Sequence, residues 1–327
     1  MQALREACGS YVSPFLEGRD TCSAAAGQSL CESLRLSRAL RSLMWPIGRS
    51  RVNRRVRRTI TKQDSGGGMR GGITSWLKSW KKHDRVEVEG VPDDFAPEIP
   101  FFAVGDIHGC AGLLDAMLLQ LEAVASGEET RVFLGDYIDR GPDSRDVLMR
   151  LWGLSQGHPD KVVCLMGNHE RMMLDFIDDP AGTGAEWLSF GGVETLRSFG
   201  ISAEKKRLDS AASIDLANAL EAALPAGMQE WLRGLPLQWS SGNMHCVHAA
   251  MSPKRHPKAQ REKALLWGHP KFFSEPREDG VFVVHGHTIV EIASISASRV
   301  SLDTGAYKTG RLTAARVSES TCDFFQA

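Results

Sequence analysis

The sequence predicts an α/β fold, and three features of its 327 residues support this class. Short apolar runs alternate with helix-like patterns between residues 101 and 166. A polar, glycine-containing motif begins where each of these runs stops, at the position where ligand groups collect in parallel sheets. Strand-like patterns return after Leu237, in sufficient number to form a second sheet.

The elements are predicted from these patterns in chain order. The first part is a βαβαβ unit with strands at 101–104, 131–134 and 161–166 and helices at 112–125 and 144–154. The middle, at 174–237, is more helical and has an Ala-rich period at 208–224. The last part is predicted to hold strands at 244–247, 281–284, 292–295, 300–302 and 312–317.

The N-terminal part differs from the rest in charge. Residues 1–85 contain 17 Lys and Arg against six Asp and Glu, although the whole chain has a net charge of −1. We predict that residues 1–95 are a basic, disordered extension and linker, and that the folded domain occupies 96–320. Three interpretations of the extension compete: an organelle transit peptide, a nucleic-acid-binding arm, or translation upstream of a natural start at Met69.

Composition argues against membrane insertion and disulfide chemistry. No stretch approaches the roughly 20 apolar residues that a membrane-spanning helix needs. The seven cysteines are odd in number and include no C-x-x-C pair of the kind found at structural zinc or redox sites. We therefore predict reduced thiols, a cytoplasmic location and no membrane span.

The first two polar motifs carry side chains suited to metal and phosphate chemistry. GDIHG at 105–109 places the Asp106 carboxylate and the His108 imidazole on one turn, and such ligands suit Mn, Fe or Zn. GDYIDRG at 135–141 supplies Asp136, a carboxylate able to bridge two metals. Asp139 and Arg140 follow, as an orienting carboxylate and a phosphate clamp.

The third motif, GNHE at 167–170, adds an amide ligand. The amide oxygen of Asn168 suits a hard cation. Any one of the three motifs is more often a structural turn than a site, because Gly, Asp and Asn are common in loops. Three such motifs at even spacing, each after an apolar run, are improbable by chance, and they predict one metal site.

The three motifs closely resemble the signature blocks GDxHG, GDxxDRG and GNHE of the phosphoprotein phosphatase family, within the calcineurin-like metallophosphoesterases. The family has two later histidine ligands, which match His248 in VHAA and His287 in HGHT. The resemblance spans about residues 99–317. Similarity at 187–200, 303–305 and 310–312 resembles the bacterial serine/threonine protein phosphatase branch.

This resemblance implies a four-layer α/β/β/α sandwich with a dinuclear metal site at one edge. The implied ligands of two divalent cations are Asp106, His108, Asp136, Asn168, His248 and His287. The first two bind one cation, the third bridges both, and the last three bind the other. His285 is the alternative to His287. The cations implied are Mn, with Fe or Zn as alternatives, and they align a water for in-line attack on phosphorus.

Further roles follow from the resemblance. It assigns His169 as the general acid, Asp139 as its orienting partner and Arg140 as a ligand of phosphate oxygens. The sequence departs from the bacterial pattern at His269, which stands where relatives have a second phosphate-binding arginine. A histidine cannot form the same bidentate fork, so either Lys271 compensates or substrate binding differs.

Three functions are considered for a chain with these residues. The leading one is hydrolysis of phosphomonoesters in proteins, with serine/threonine or dual specificity, and the expected partner is a phosphoprotein or small phosphoester. The rival is a diadenosine tetraphosphatase or other nucleotide phosphatase, which needs a clamp for the base; the candidates are Tyr137, Trp187, Phe190 and Trp267. An inactive nucleic-acid-binding or scaffold protein requires a missing ligand, and no ligand is missing. The oligomeric state is not predicted.

Overall fold

The computed structural model describes residues 85–87, 92–204 and 209–327. The three interpretations of the basic extension concern residues that lie outside this part. Within the described residues, eleven strands form a six-stranded and a five-stranded sheet. No helix there is both long and apolar enough to cross a bilayer.

The first sheet has the strand order β1-β11-β10-β2-β3-β4. Its strands are β1 Arg85–Glu87, β2 Phe101–Val104, β3 Thr130–Phe133, β4 Val162–Cys164, β10 Thr313–Ser318 and β11 Thr321–Gln326. The three strands β2, β3 and β4 are parallel, and β10 runs antiparallel to β2. The parallel strands are joined through helices, as crossover connections require.

The second sheet has the strand order β5-β6-β7-β9-β8. Its strands are β5 Gln238–Ser241, β6 Met244–Val247, β7 Phe282–His285, β8 Ser294–Ser296 and β9 Arg299–Ser301. In this sheet β6, β7 and β9 are parallel to one another, while the edge strands β5 and β8 are antiparallel to β6 and β9 respectively.

Helices cover the outer faces and fill the middle of the chain. The α-helices are α1 Ala111–Val124, α2 Ser144–Gly157, α3 Asn168–Asp178, α4 Gly192–Ser198, α5 Ser210–Ala223, α6 Met228–Arg233, α7 Glu262–Trp267 and α8 Ala306–Thr309. In the same described ranges, two 3-10 helices occupy Thr183–Phe190 and Pro257–Ala259.

Alternation along β2 shows how the layers pack. Phe101 joins a buried cluster that contains residues of both sheets, including Phe282 of β7. The next residue, Phe102, points to the opposite face, where it packs with Leu114 of α1. Successive side chains of a strand point to opposite faces, so one sheet face meets the other sheet and the other face meets helices. A third cluster packs Leu265 of α7 under the second sheet.

The predicted α/β class and the sandwich are therefore confirmed. The predicted strand at 101–104 is observed with the same bounds, and the predicted helix at 112–125 is shifted by one residue. β1, β5 and β11 were not predicted, and β1 lies within the segment 1–95 that was predicted to be an extension and linker. Helix α3 begins earlier than the predicted helical region at 174–237.

Candidate metal site

Both sheets bring their polar motifs to one edge. β2, β3 and β4 are parallel, so the residues that follow them, including Asp136 after β3, leave the sheet on the same side. β6 and β7 are also parallel, and His248 and His287 follow them. The two edges meet, because His248 Nε2 lies 3.4 Å from Asp136 Oδ1.

Four side chains converge beside β3. Asn168 Oδ1 lies 2.8 Å from His248 Nε2 and 2.9 Å from His287 Nδ1. The two ring nitrogens are 3.2 Å apart. With Asp136, the two histidines place one ligand atom each within 4.8 Å of the others. An amide oxygen, two imidazoles and a carboxylate form a donor set suited to a divalent cation.

A second group shares the Asp136 carboxylate. His108 Nε2 lies 3.5 Å from Asp136 Oδ2, and His169 Nε2 lies 3.8 Å from the same oxygen. Among the described residues, Asp106 belongs to neither compact group. Its two oxygens accept hydrogen bonds from the backbone N–H of His287, at 3.1 and 3.0 Å. Asp106 is thus held beside the loop that carries a ligand of the other group.

Backbone carbonyls orient two of the imidazoles. His108 Nδ1 lies 2.7 Å from Ile138 O, and His248 Nδ1 lies 2.9 Å from Leu134 O. A carbonyl only accepts, so each Nδ1 carries the proton and each Nε2 is bare. Burial lowers the pKa of His108 to about 3, so this ring is neutral near pH 7. Bare nitrogens that face carboxylate oxygens repel them unless a cation lies between, and these residues therefore fit a divalent metal.

Five residues of the site have left-handed backbone conformations. The φ angles are 46° at His108, 52° at Asp136, 72° at Asp139, 67° at Arg140 and 62° at His287. Residues other than glycine rarely adopt this conformation, and it persists only where surrounding contacts determine it. The loops after β2, β3 and β7 are therefore shaped by the site and not by local preference.

Glu170 determines the position of the loop that carries Asp136. Its buried carboxylate accepts hydrogen bonds from the backbone N–H groups of Gly167 at 3.1 Å, Asp136 at 2.9 Å and Tyr137 at 2.8 Å. Burial and the nearby Asp136 charge raise the pKa of Glu170 to about 8, although these hydrogen bonds act to lower it. No role was predicted for Glu170, yet its carboxylate joins the second and third motifs.

His169 is oriented by Asp139. His169 Nδ1 lies 2.5 Å from Asp139 Oδ2, which also accepts from Trp187 Nε1 at 2.8 Å. Thr195 Oγ1 donates to the other oxygen at 2.6 Å. Burial disfavours the charged imidazolium, but the Asp136 and Asp139 carboxylates outweigh it and raise the pKa of His169. His169 Nε2 faces the site and accepts from Arg140 Nη2 when the ring is neutral, so it carries a proton only when this guanidinium donates elsewhere.

Arg140 lies between His169 and an aromatic ring. Its Nη2 is 3.1 Å from His169 Nε2, and its guanidinium carbon is 4.9 Å from the ring centroid of Tyr307. The Tyr307 ring also contacts His108, with 5.3 Å between centroids. Tyr307 belongs to α8, just after the second sheet, so it reaches the site from a distant part of the chain.

The remaining predicted residues lie elsewhere. His285 is buried within β7, where its Nε2 lies 2.9 Å from Ser301 Oγ, so His287 and not His285 reaches Asn168. Lys271 Nζ donates to Glu275 at 2.8 Å, and the backbone N–H of Lys271 donates to His269 Nδ1 at 3.3 Å. In the described part of the chain, no hydrogen bond or ion pair joins His269 or Lys271 to the metal-site side chains.

Asp303 is a further buried carboxylate of the site. Burial raises the pKa of Asp303 to about 6, and Asp303 in turn helps burial to raise the pKa of Asp106. The signal that could have identified it was present in the sequence, because Asp303 follows strand β9 as the other motifs follow their strands.

The comparison with protein families decides the family. The profile of the calcineurin-like phosphoesterases matches residues 99–313. This chain belongs to that family. It is therefore a metallophosphoesterase and a hydrolase, and the resemblance predicted from the motifs is confirmed. The family depends on a dinuclear metal centre, for which the two groups around Asp136 supply candidate ligands.

The relatives of this metallophosphoesterase include proteins named as protein phosphatases and proteins named as nucleotide tetraphosphatases. It is 25% identical to serine/threonine-protein phosphatase 2 of Salmonella typhimurium, over 64% of this chain and 89% of the relative. It is 30% identical to a symmetrical bis(5'-nucleosyl)-tetraphosphatase of Pseudomonas fluorescens, over 47% of this chain and 44% of that relative. A solved cold-active protein-tyrosine phosphatase of a psychrophilic Shewanella has 19% identity and a TM-score of 0.45, over 72% of this chain and 82% of its own.

Proposed function

We propose that this metallophosphoesterase hydrolyses phosphoserine and phosphothreonine in proteins and, as a dual-specificity enzyme, also phosphotyrosine. The proposal depends mainly on one observation, the contact of 2.5 Å between Asp139 and His169 beside Arg140. A proton donor and a phosphate-binding guanidinium then stand next to a shared carboxylate, Asp136. Small phosphoesters are expected as additional substrates.

The metal ligands in this proposal are Asp106, His108, Asp136, Asn168, His248 and His287, with Mn as the cation. When bound, divalent cations stabilise the charge of a phosphoryl group and acidify water. The described side chains bind the phosphate and supply the proton. The guanidinium of Arg140 binds the non-bridging phosphate oxygens, where charge accumulates in the transition state. Asp139 holds the His169 ring so that its Nε2 proton is directed at the departing oxygen.

The number of cationic side chains favours a single phosphoryl group over a polyphosphate. Among the described residues, Arg140 is the only Arg or Lys in hydrogen-bond contact with a proposed ligand or with His169. Lys271, which could have supplied a second charge, donates to Glu275 instead. A chain of four phosphates carries several negative charges, which one guanidinium neutralises poorly. The symmetrical tetraphosphatase activity is the second candidate, because some relatives bear that name.

A leaving-group comparison tests the proposal. Metal-stripped protein is assayed with and without Mn on a phosphoserine peptide, p-nitrophenyl phosphate and diadenosine tetraphosphate. We expect Mn-dependent turnover of the first two and its loss in Asp136→Asn. His169→Asn should lose about 100-fold or more on the peptide and much less on p-nitrophenyl phosphate, whose leaving group needs no proton. Turnover of diadenosine tetraphosphate alone would replace the proposal with the second candidate.

A further inference from the structure

A cavity of about 260 Å³ lies between α3, the 3-10 helix at Thr183–Phe190 and the end of α7. Three aromatic residues, two acidic residues and a methionine are among the residues that line it. These residues are Met172, Asp175, Glu186, Trp187, Phe190 and Trp267. Three of them were candidates for an aromatic clamp in the sequence, whereas the fourth candidate, Tyr137, is fully buried in the core.

The cavity adjoins the residues that would protonate the leaving group. Trp187 lines it and donates a hydrogen bond to Asp139, the partner of His169. Phe190 precedes Gly191, which packs so closely on the loop after β3 that an added Cβ would lie 2.7 Å from Arg140 N. The part of a substrate that is attached to the departing oxygen would therefore lie next to this cavity.

Two of the three aromatic residues of the cavity are open to solvent, whereas Trp187 is buried. Phe190 is 50% exposed and Trp267 is 44% exposed, although side chains of this size are usually covered. Flat aromatic faces attract guanidinium and ammonium groups through the negative potential above the ring. An exposed pair of rings next to an active site is thus suited to a flat or cationic ligand group.

The charge of the cavity residues decides whether a flat or a cationic ligand group fits better. In the described part of the chain, no Lys, Arg or His nitrogen lies within 4.0 Å of the Asp175 or Glu186 carboxylates. Arg171 and Arg233 act on the Asp175 carboxylate only at longer range, and their ion pairs are with Glu262 at 3.2 Å and with Asp178 at 2.6 Å. Two unpaired carboxylates beside aromatic rings attract a cation and repel a polyphosphate.

We infer that this cavity binds an Arg or Lys side chain of the protein substrate, close in sequence to the phosphorylated residue. The inference rests on the proposed protein phosphatase function and names its substrate class: phosphopeptides with a basic residue at one defined position. Carboxylates and aromatic faces contribute together, so Arg, which can form a bidentate pair and stack, should be preferred to Lys.

Phosphoserine peptides that differ only in one position test this inference. Arg, Ala or Glu is placed in turn at each of the three positions on either side of the phosphoserine, and kcat/KM is measured with the Mn-loaded enzyme. At one position Arg should exceed Ala by about five- to tenfold, and Glu should be poorer than Ala. The Asp175→Asn, Glu186→Gln double variant should bring the Arg/Ala ratio close to one. Trp267→Leu and Phe190→Leu, at exposed positions, should reduce it partly.

The controls separate the two proposals. Glu319→Gln removes an exposed carboxylate outside the cavity and should keep the full Arg preference. If peptides and p-nitrophenyl phosphate are hydrolysed but no position shows an Arg preference, the inference fails and the proposed function stands. If the cavity variants lower diadenosine tetraphosphate turnover instead, the cavity is a nucleobase site and the inference is overturned. If neither phosphopeptides nor p-nitrophenyl phosphate is hydrolysed, the proposed function itself fails.

Discussion

The Tyr307 ring lies against both Arg140 and His108, and it limits where the guanidinium can go. We expect Tyr307→Leu to raise KM for p-nitrophenyl phosphate about three- to tenfold with a smaller change in kcat, because phosphate binding loses its positioned cation. Tyr307→Phe keeps the ring and should stay within about twofold of the wild type. Steady-state kinetics of both variants decide this. A phenylalanine variant as impaired as the leucine variant would assign the effect to the hydroxyl.

Single residues show what sequence could and could not predict. The structure brings five of the six predicted ligands into the groups around Asp136, because each motif is local and follows a strand; their roles as ligands stay predictions. Trp187 and Thr195 reach Asp139 across 48 and 56 residues of chain, so no spacing in the sequence connects them to it. His269 and Lys271 were chosen from the family pattern, and among the described residues no hydrogen bond or ion pair joins them to the metal-site side chains.

The loop between β7 and β8 depends on a glycine at one position. A Cβ added to Gly286 would lie 2.0 Å from Asp106 Oδ1, so Gly286→Ala must displace that carboxylate. We expect at least about a tenfold loss of Mn-dependent kcat/KM and fewer metal ions per chain by elemental analysis. Gly153, within α2, has nothing within 4 Å of an added Cβ. Gly153→Ala is the matched control and should keep activity while stabilising the fold by about 0.5–1 kcal/mol.

Glu129 ties the start of β3 to β10 and makes stability depend on pH. Its buried carboxylate accepts hydrogen bonds from Ser126 N at 2.9 Å and Arg316 Nη2 at 2.6 Å. Burial alone would raise the pKa of Glu129, but the donors outweigh it and lower the pKa from 4.5 to about 2. A lowered folded-state pKa means stability that is present above about pH 4.5 and lost as pH falls toward 2.

Urea unfolding of Glu129→Gln tests this coupling. At pH 7 the variant should be less stable than the wild type by about 1–3 kcal/mol, because a charged acceptor is replaced. The difference should stay constant down to about pH 5 and shrink below it, because the Glu129 carboxylate becomes protonated in the unfolded wild-type chain before it does in the folded chain. The exposed neighbour Glu128 is the control, and Glu128→Gln should change stability by less than about 0.5 kcal/mol. If the stability difference between Glu129→Gln and the wild type did not change with pH, the charge of the Glu129 carboxylate would not be its cause.

Elements were predicted where their periodicity is strong. β2 and β6 are short and largely buried apolar runs, so their bounds were predicted correctly. Helix α3 begins at Asn168, inside the third motif, and its first residues are polar because they face the site. Their apolar period is therefore weak, and the helix was predicted to start later. β11 pairs with β10 across a tight turn, a contact that composition alone did not indicate.

At the scale of the whole molecule, the proposed ligands come from both sheets. Asp136 follows β3 of the first sheet, whereas His248 and His287 follow β6 and β7 of the second. The alternation of elements predicted only an α/β class, and the sandwich came from the family resemblance, because contacts between sheets are not local. A cation held by both edges would link the two halves of the core.

Metal removal should therefore affect thermal stability as well as activity. Mn at 100 times its dissociation constant should stabilise the folded chain by about 2.7 kcal/mol and raise Tm with concentration. In His248→Ala the Mn-dependent rise should be much smaller, measured by scanning calorimetry of metal-stripped protein. Mg, which prefers oxygen ligands, is the comparison ion and should give a smaller rise. An equal rise in the variant would place the stabilising ion elsewhere.

The left-handed backbone at five site residues has a consequence for how this enzyme can change over generations. Each such residue costs on the order of 1 kcal/mol in folding free energy. Glycine would relieve that cost at His108, Asp136 or His287, and it would also delete the ligand. Selection for heat resistance alone would therefore favour substitution of these site residues before substitution of core residues. Stabilising substitutions compatible with turnover should accumulate away from the loops after β2, β3 and β7, on helices such as α2.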